Sequence, residues 1–589
     1  MKKSLFSPGE YRSARLDRGD RVLIWVFTLL YTVLTLLNLG TMRFPQTAWT
    51  AQTGDTVVFD FGTETDIGEM WFNANIGTGR LLFTDESGNV FEYAQTYNEM
   101  FSWKSRTVAF HTRYLSASLT EGTVILNEIA FRTVAGEVVT PTLQNADDAM
   151  SALLDEQTTL AKSSYFNGMY FDEIYHARTA YEFLHGMPVY EWTHPPLGKL
   201  IIALGITIFG MTPFGWRFMP ALFGAAMLPV LFALGKRLFR RRDFAFLAAA
   251  LFALDTMHFA QTRIATVDVF IVFFILLMYL FLCDFLQRDF CRDPMGTILL
   301  PLGACGVSFG LGVASKWTGL YAGVGLALLF FAHLIQNGIR AYREEELRAV
   351  YRRRTIGVLL FCCVFFLLIP GIIYFVSYTP FYRVEAQLRT DGYGFAEKLK
   401  TLIVQQQSMY SYHSNLTATH LCESSWYQWP LTAKSVWFYH TSENGMTSNI
   451  SSGGSPAVWW IASVGLFMLL TEGLFRRMKT RSREFKRAVV LVLIGTAANL
   501  LPWVLVTRCT FQYHFFPTVP FILLAALLLV QHLEEEGELP AWVKWAWLSL
   551  ALVYFVLLLP SASGIPIRNE YAYFLEHILP TGNLFQGTV

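Results

Sequence analysis

Eleven apolar runs of membrane-spanning length punctuate the chain, starting near Val22, Trp216, Phe244, Thr266, Thr297, Trp317, Thr355, Ala457, Ala488, Tyr513 and Ala541. About 20 apolar residues in a helix cross a bilayer's hydrocarbon core, so this pattern predicts a polytopic α-helical membrane protein with about eleven transmembrane helices. A further stretch, Leu197 to Met211, is apolar but short. It carries Lys199 near its start and is bounded by Pro195-Pro196 and Pro213, so it is expected to lie against the membrane surface rather than cross. From about Thr50 to Val139 the period changes. Val57-Val58-Phe59-Asp60-Phe61, Gly79-Arg80-Leu81-Leu82-Phe83 and Val124 to Phe131 are short β-type runs separated by turn signals such as Glu86-Ser87-Gly88-Asn89. These predict a small antiparallel β-sandwich.

Basic residues orient the spans, because cytoplasmic loops are enriched in Lys and Arg. Lys2, Lys3, Arg12, Arg15, Arg18 and Arg21 place the N-terminus inside, and the first run, which lacks a small-residue cleavage site, reads as a signal anchor. Lys236-Arg237 with Arg240-Arg241-Arg242, Arg352-Arg353-Arg354, and Arg476-Arg477 through Arg487 form the other basic loops. All fall on one side only if Leu197 to Met211 does not cross, which leaves the C-terminus outside. Glu534-Glu535-Glu536 then sits on the cytoplasmic side without obvious positive charge. The resulting plan has an N-terminus and first span (1–42), an external β insert (43–150) and an external loop with juxtamembrane helices (151–215). Spans two to seven (216–377), a second external segment (378–456), spans eight to eleven (457–560) and an external tail (561–589) follow.

Composition agrees. Of 589 residues, 53% are hydrophobic and 15% charged, against roughly 25% charged in soluble proteins. The net charge of +1 offers nothing to a nucleic acid. Seven cysteines without metal-like spacing read as free thiols, Cys422 and Cys509 included.

The candidate chemistry lies at the outer ends. Asp172 and Glu173, in Tyr170-Phe171-Asp172-Glu173-Ile174-Tyr175-His176, are adjacent carboxylates among aromatics. Such a pair suits a general base and suits a helix N-terminus equally well. Arg263, Lys316 and Arg508 occupy very short outer loops, against the positive-inside tendency. A shared phosphate explains three such cations; local pairing, Arg263 with Asp268 for instance, or snorkelling explains any one. The second external segment is rich in aromatic and hydrogen-bonding residues: Tyr410-Ser411-Tyr412-His413, Thr419-His420 and Trp426 to Leu431. That composition fits sugar or peptide contact or an interfacial aromatic belt.

In order along the chain, Phe171-Asp172-Glu173, His194-Pro195-Pro196-Leu197-Gly198-Lys199, Thr262-Arg263 with Asp268, Ser315-Lys316-Trp317, Tyr412-His413 through Trp429-Pro430-Leu431, and Arg508 through Pro517 resemble the protein O-mannosyltransferases, glycosyltransferase family 39. The resemblance implies the GT-C membrane architecture and inverting transfer of mannose from a polyprenyl-phosphate donor to a protein Ser or Thr hydroxyl at the outer face. It implies Asp172 as base, Glu173 orienting acceptor or sugar, and Arg263 on the carrier phosphate. Lys316 and Arg508 would be further phosphate or sugar contacts, and His194, His413, Trp429 and His514 candidate substrate contacts. No metal ligand set is visible and no cofactor is expected beyond the lipid-linked donor. The insert, through Trp103, Arg113-Tyr114-Leu115 and Asn127-Glu128-Ile129, resembles discoidin or galactose-binding-like modules and departs from the family pattern, which leaves a glycan or lipid acceptor as the alternative. A transporter or receptor with a carbohydrate-binding domain is the rival of another class. It would place charges mid-span, where only Asp255 and His258 come close.

Overall fold

The computed structural model describes residues 15–144, 147–390, 392–475, 482–578 and 584–585. Lys2, Lys3, Arg12, Arg476 and Arg477 lie outside the described residues. The chain divides into two compact units, one of Met1–Leu37, His185–Ile201 and Pro220–Val589, the other of Asn38–Leu184 and Ile202–Met219.

Every one of the eleven apolar runs holds a helix. In chain order the helices used below are α1 (Arg18–Leu36), α2 (Glu173–His185), α3 (Leu197–Phe209), α4 (Pro213–Phe239), α5 (Arg242–Ala253), α6 (Thr256–Thr262), α7 (Asp268–Leu286) and α8 (Met295–Ser315). They continue with α9 (Gly319–Arg343), α10 (Glu345–Cys363), α11 (Ile369–Ser377), α12 (Phe395–Asn415), α13 (Pro456–Phe475), α14 (Arg483–Leu500), α15 (Val519–Glu535) and α16 (Val543–Ser563). Among the described residues eight helices are long and apolar enough to span a membrane, or nine if α5 and α6, bent by 64°, form one broken span. The Leu197–Met211 stretch is the short apolar helix α3.

Polar side chains fix the helical unit at a few points. The buried stripe of α1, Asp20, Ile24, Thr28, Tyr31 and Thr35, recurs every three or four residues, one face of a helix. It is held at three heights: Asp20 by Lys236 and Arg242, Tyr31 by a 2.9 Å bond to His258, and the carbonyls of Thr35 and Leu37 by Arg263. The break between α5 and α6 is stitched by Asp255, which accepts from the backbone of His258 and Ser455, while Thr256 donates to the Gly453 carbonyl at 2.6 Å. His258 also bonds the Gly224 carbonyl. Asp255 and His258 are therefore framework groups satisfying a broken helix, as buried polar atoms in a membrane must be. Residues 364–368 form a π-helical turn joining α10 to α11. It packs on Gly303, Gly306 and Gly310 of α8, where an added Cβ would run into Phe365 or Pro370. Separately, strands Trp437–Glu443, Met446–Ser451 and Ile567–Arg568 form a small sheet.

The second unit is built on eight strands: β1 (Trp49–Thr50), β2 (Thr56–Ala74), β3 (Thr78–Asp85), β4 (Val90–Gln95), β5 (Trp103–Thr123), β6 (Ile125–Thr133), β7 (Val138–Val139) and β8 (Thr142–Gln144). They make one hydrogen-bonded sheet in the order β1-β6-β2-β5-β3-β4, with β7 on β6 and β8 on β2, where the sequence pattern predicts a two-sheet sandwich. The physical reason is the length of β2 and β5. Register shifts between Asp60 and Thr65 and between Ile67 and Glu69 bend this pair. Val57 and Phe59 before the bulges, Ile67 between them, and Met70 and Phe72 after them join a common core with Phe83, Phe110, Leu115 and Phe131. Gly122 has φ +70 beside the Thr78 carbonyl, a close approach that only glycine permits. Helix α2 docks on this unit: the Tyr181 ring lies 5.2 Å from that of Phe101, tilted by 59°, and Arg178 lies over the Tyr97 ring while paired at 2.7 Å with Glu182.

Candidate active site

The acidic pair separates into two environments. Phe171 has φ 49, the left-handed region, an uncommon conformation for a bulky residue that marks a constrained turn. It sets Asp172 at the entrance of α2, where the Asp172 carbonyl accepts from the Tyr175 and His176 N–H groups and the residue is half-buried. Glu173, one residue on, is fully buried. Its carboxylate receives Arg217 Nε and Nη2 at 2.7 Å each, Trp216 Nε1 at 3.1 Å and the Tyr170 N–H.

Arg217 was not among the residues singled out by sequence, yet it organises this half of the site. Beyond Glu173 it donates to the carbonyls of Leu39, Tyr165 and Gly168, and the Tyr170 ring lies 4.7 Å from its guanidinium. All five N–H donors of an arginine are thereby engaged. The signal available in the sequence was a cation inside the apolar start of a span, which is costly unless paired.

The helical unit holds the other candidates. Lys199 is fully buried, paired with Glu191 and donating to the Glu191 and His194 carbonyls at 2.6 and 3.0 Å. Glu191 also takes His194 Nδ1 at 3.1 Å and the Thr193 backbone N–H at 2.9 Å. His413, on α12, contacts the Thr193 carbonyl through Nε2 at 2.8 Å, and its ring is 5.6 Å from that of His194. Burial, reinforced by His194, Arg508 and Lys316, lowers His413 to about 4. The same causes, burial first and then Lys316 and Arg508, hold His514 well below its ordinary value. Both imidazoles are thus neutral at neutral pH. Lys316, Arg508 and His194 thus act electrostatically on both His413 and His514; Arg263 is not among the groups that do.

The three cations differ. Lys316 Nζ sits 2.7 Å from Asp268. Arg508 is half-buried, with a single 3.4 Å contact to the Cys509 carbonyl and no carboxylate partner among the described residues. Arg263 is 4% exposed, and its Nη1 donates to the Thr35 and Leu37 carbonyls at the end of α1, where a cation complements the helix dipole. Trp429 lies deeper than expected. At 1% exposure it packs on Trp503, His514 and Phe515 and donates to Ser424; a wall beneath His514, it has no face left for a sugar. Gln512, unnoticed in the sequence, is fully buried with both amide atoms lacking partners among the described residues, the state of a group awaiting a ligand or water. A cavity of about 840 Å³ opens beside His413, lined by Trp192, Gln407, Ser408, Ser411, Tyr412 and Asn415 among others.

One acidic trio among the described residues has metal-ligand spacing, Glu128, Asp155 and Glu156, and it lies on the β unit. All seven cysteines are free.

Two family profiles match: "Dolichyl-phosphate-mannose-protein mannosyltransferase" over residues 207–382 and "C-terminal four TMM region of protein-O-mannosyltransferase" over 398–578. The polyprenol-phosphate-mannose–protein mannosyltransferase of Mycolicibacterium smegmatis (strain ATCC 700084 / mc(2)155) is 28% identical over 70% of this chain and 87% of its own. That of Mycobacterium tuberculosis (strain ATCC 25618 / H37Rv) is 27% identical over 70% and 86%. The structure of the S. cerevisiae protein O-mannosyltransferase Pmt1–Pmt2 complex bound to the sugar donor superposes with a TM-score of 0.59 at 14% identity, covering 71% of this chain and 90% of that one. Fold and site together define a membrane glycosyltransferase of the GT-C class. The two profiles jointly span more than half of the chain, and it belongs to the protein O-mannosyltransferase family. The discoidin-like reading of the insert has no counterpart in these matches; a β-sheet unit is what stands.

Proposed function

We propose that the protein transfers mannose, with inversion, from a polyprenyl-phosphate carrier to a Ser or Thr hydroxyl of a protein. The observation that carries this reading is the effect of Arg508 and Lys316 on the half-buried His413 and the buried His514, both neutral. In this scheme the acceptor oxygen attacks the anomeric carbon, its proton passes to the Asp172 carboxylate, and the bond from that carbon to the phosphate oxygen breaks. The carrier leaves as polyprenyl phosphate, its new charge balanced by Arg508 and Lys316. Arg508 takes the phosphate because no carboxylate competes for it, and Lys316 shares its charge with Asp268. Glu173 is a positioning residue, since its oxygens are filled by Arg217 and Trp216. The cavity lined by Trp192 and Tyr412, next to His413 in the chain, suits an extended acceptor segment. The relatives' names and the family support the donor; the topology proposed with it has eleven spans, the N-terminus in the cytoplasm and the site outside.

The test is purified protein with radiolabelled polyprenyl-phosphate mannose and competing peptide and glycan acceptors. Asp172→Asn lowers peptide mannosylation about 10²–10⁴-fold, the range for loss of a general base. Transfer at the normal rate removes Asp172 from the role, and transfer to glycan alone overturns the protein acceptor. Arg508→Gln raises the donor KM more than it lowers kcat; an unchanged KM would count against the phosphate assignment.

A further inference from the structure

The end of α9 and α10 far from Lys316 carries a pocket of about 540 Å³ lined by Tyr342, Arg348, Ala349, Tyr351, Arg352, Thr355 and Ile356. No carboxylate lines it. Arg352, with Arg343 and Arg353 nearby in the sequence, pairs with no carboxylate among the described residues, and Arg348 has only Glu345 at 3.8 Å, itself 90% exposed. An ion pair so open to water contributes little. Arg348 is aimed by hydrogen bonds to the Tyr342 carbonyl, and Thr355 Oγ1 is shielded from solvent without a partner among the described residues.

The same helix pair carries an apolar groove of about 770 Å³, lined by Leu320, Val324 and Phe331 of α9 and by Leu359, Cys363 and Leu367 on the α10 side, among others. The two features share one face of α10. Positions 348, 352, 355, 356, 359 and 363 recur at steps of one, three or four residues, as one side of a helix does. The span containing α10 is also the least covered of the candidate spans, with 6% of its apolar window buried. The glycine seam of α8 accounts for the opening: α10 and its π turn lean on Gly303 and Gly306, and α10 meets α9 near its start, where Tyr351 donates to the Leu334 carbonyl, leaving the groove open beyond that contact. From Arg352 to Leu367 a helix rises about 22 Å, more than half of the ~30 Å hydrocarbon core.

We propose that this is a binding site for one anionic phospholipid, its headgroup phosphate on Arg348 and Arg352 and an acyl chain in the groove. Arginine forks match phosphate oxygens, and basic pockets between helix ends recognise anionic headgroups. A carrier lipid entering from the Lys316 end would leave the arginine pocket unused, so the charge at the far end selects the phospholipid.

Native mass spectrometry of the full-length protein, titrated with palmitoyl-oleoyl phosphatidylglycerol or with phosphatidylcholine of the same chains, tests the site. The wild type should hold one phosphatidylglycerol in preference to phosphatidylcholine. The exposed pair Arg348→Gln/Arg352→Gln should weaken retention about 25-fold, from roughly one surface charge's attraction at each position. Cys363→Trp, which fills the groove and leaves both arginines, should also displace the lipid. Equal retention of the two lipids by the wild type, unchanged retention in the double variant, or a retained polyprenyl phosphate in place of phospholipid would each overturn the proposal.

Discussion

Arg217 and Glu173 fix each other so completely that Glu173 is a structural member of the acidic pair. Removing one partner of a buried ion pair costs about 3–5 kcal/mol, because the other is left uncompensated. Glu173→Gln should therefore lower the thermal midpoint in detergent, and Arg217→Lys should do likewise, since an ammonium cannot reproduce a five-donor fork. Asp172→Asn, which keeps the side chain's shape, should lower transfer far more than it lowers that midpoint; the contrast, read by differential scanning fluorimetry beside activity for each variant, separates positioning from catalysis. The sequence made the acidic dipeptide visible but could not divide it. Which carboxylate is buried depends on an arginine 44 residues away and on the left-handed turn at Phe171. Trp429 was misjudged for a related reason: an aromatic in a loop looks exposed until Trp503 and His514 close over it.

Among elements, strand β6 carries a titrating group whose effect has a defined sign. Glu128 is fully buried between the Glu156 N–H and the Gln157 amide, and burial pushes it up to about 8. A carboxyl raised in the folded state binds its proton more tightly there than when unfolded. The stability it contributes is complete below its ordinary value near 4.5 and is lost as pH rises toward 8. Between pH 5 and 8 the wild-type melting temperature should fall, relative to Glu128→Gln, by on the order of 5 °C; parallel profiles for the two proteins would refute this. The helices themselves were readable, because each apolar run holds one. Their breaks were not. The α5–α6 bend depends on Asp255 reaching Ser455, and the π turn at 364–368 depends on glycines of α8, both tertiary matters that periodicity does not encode.

Over the whole molecule, one basic helix end, that of α5, is neutralised in a cluster. Glu534, which seemed stranded on a side without positive charge, is held by Arg241 and Lys544 at 2.7 Å each, with Asp243 also on both cations. Lys544 is 3% exposed, so Lys544→Met should destabilise by about 3 kcal/mol, seen as a lower midpoint that high salt does not restore. Arg263 adds a dimension of time. The α1 carbonyls it caps lie 228 and 226 residues earlier in the chain. At roughly 5–20 residues per second of synthesis, the end of the first helix waits on the order of tens of seconds for its cap to be made. A ribosome-stalled chain ending before residue 263 should leave α1 free to cross-link to lipid or to the insertion machinery, and one carrying α6 beyond the exit tunnel should not. The arginine expected to serve the carrier lipid is, on this view, the residue that tells the membrane when the first helix has been claimed.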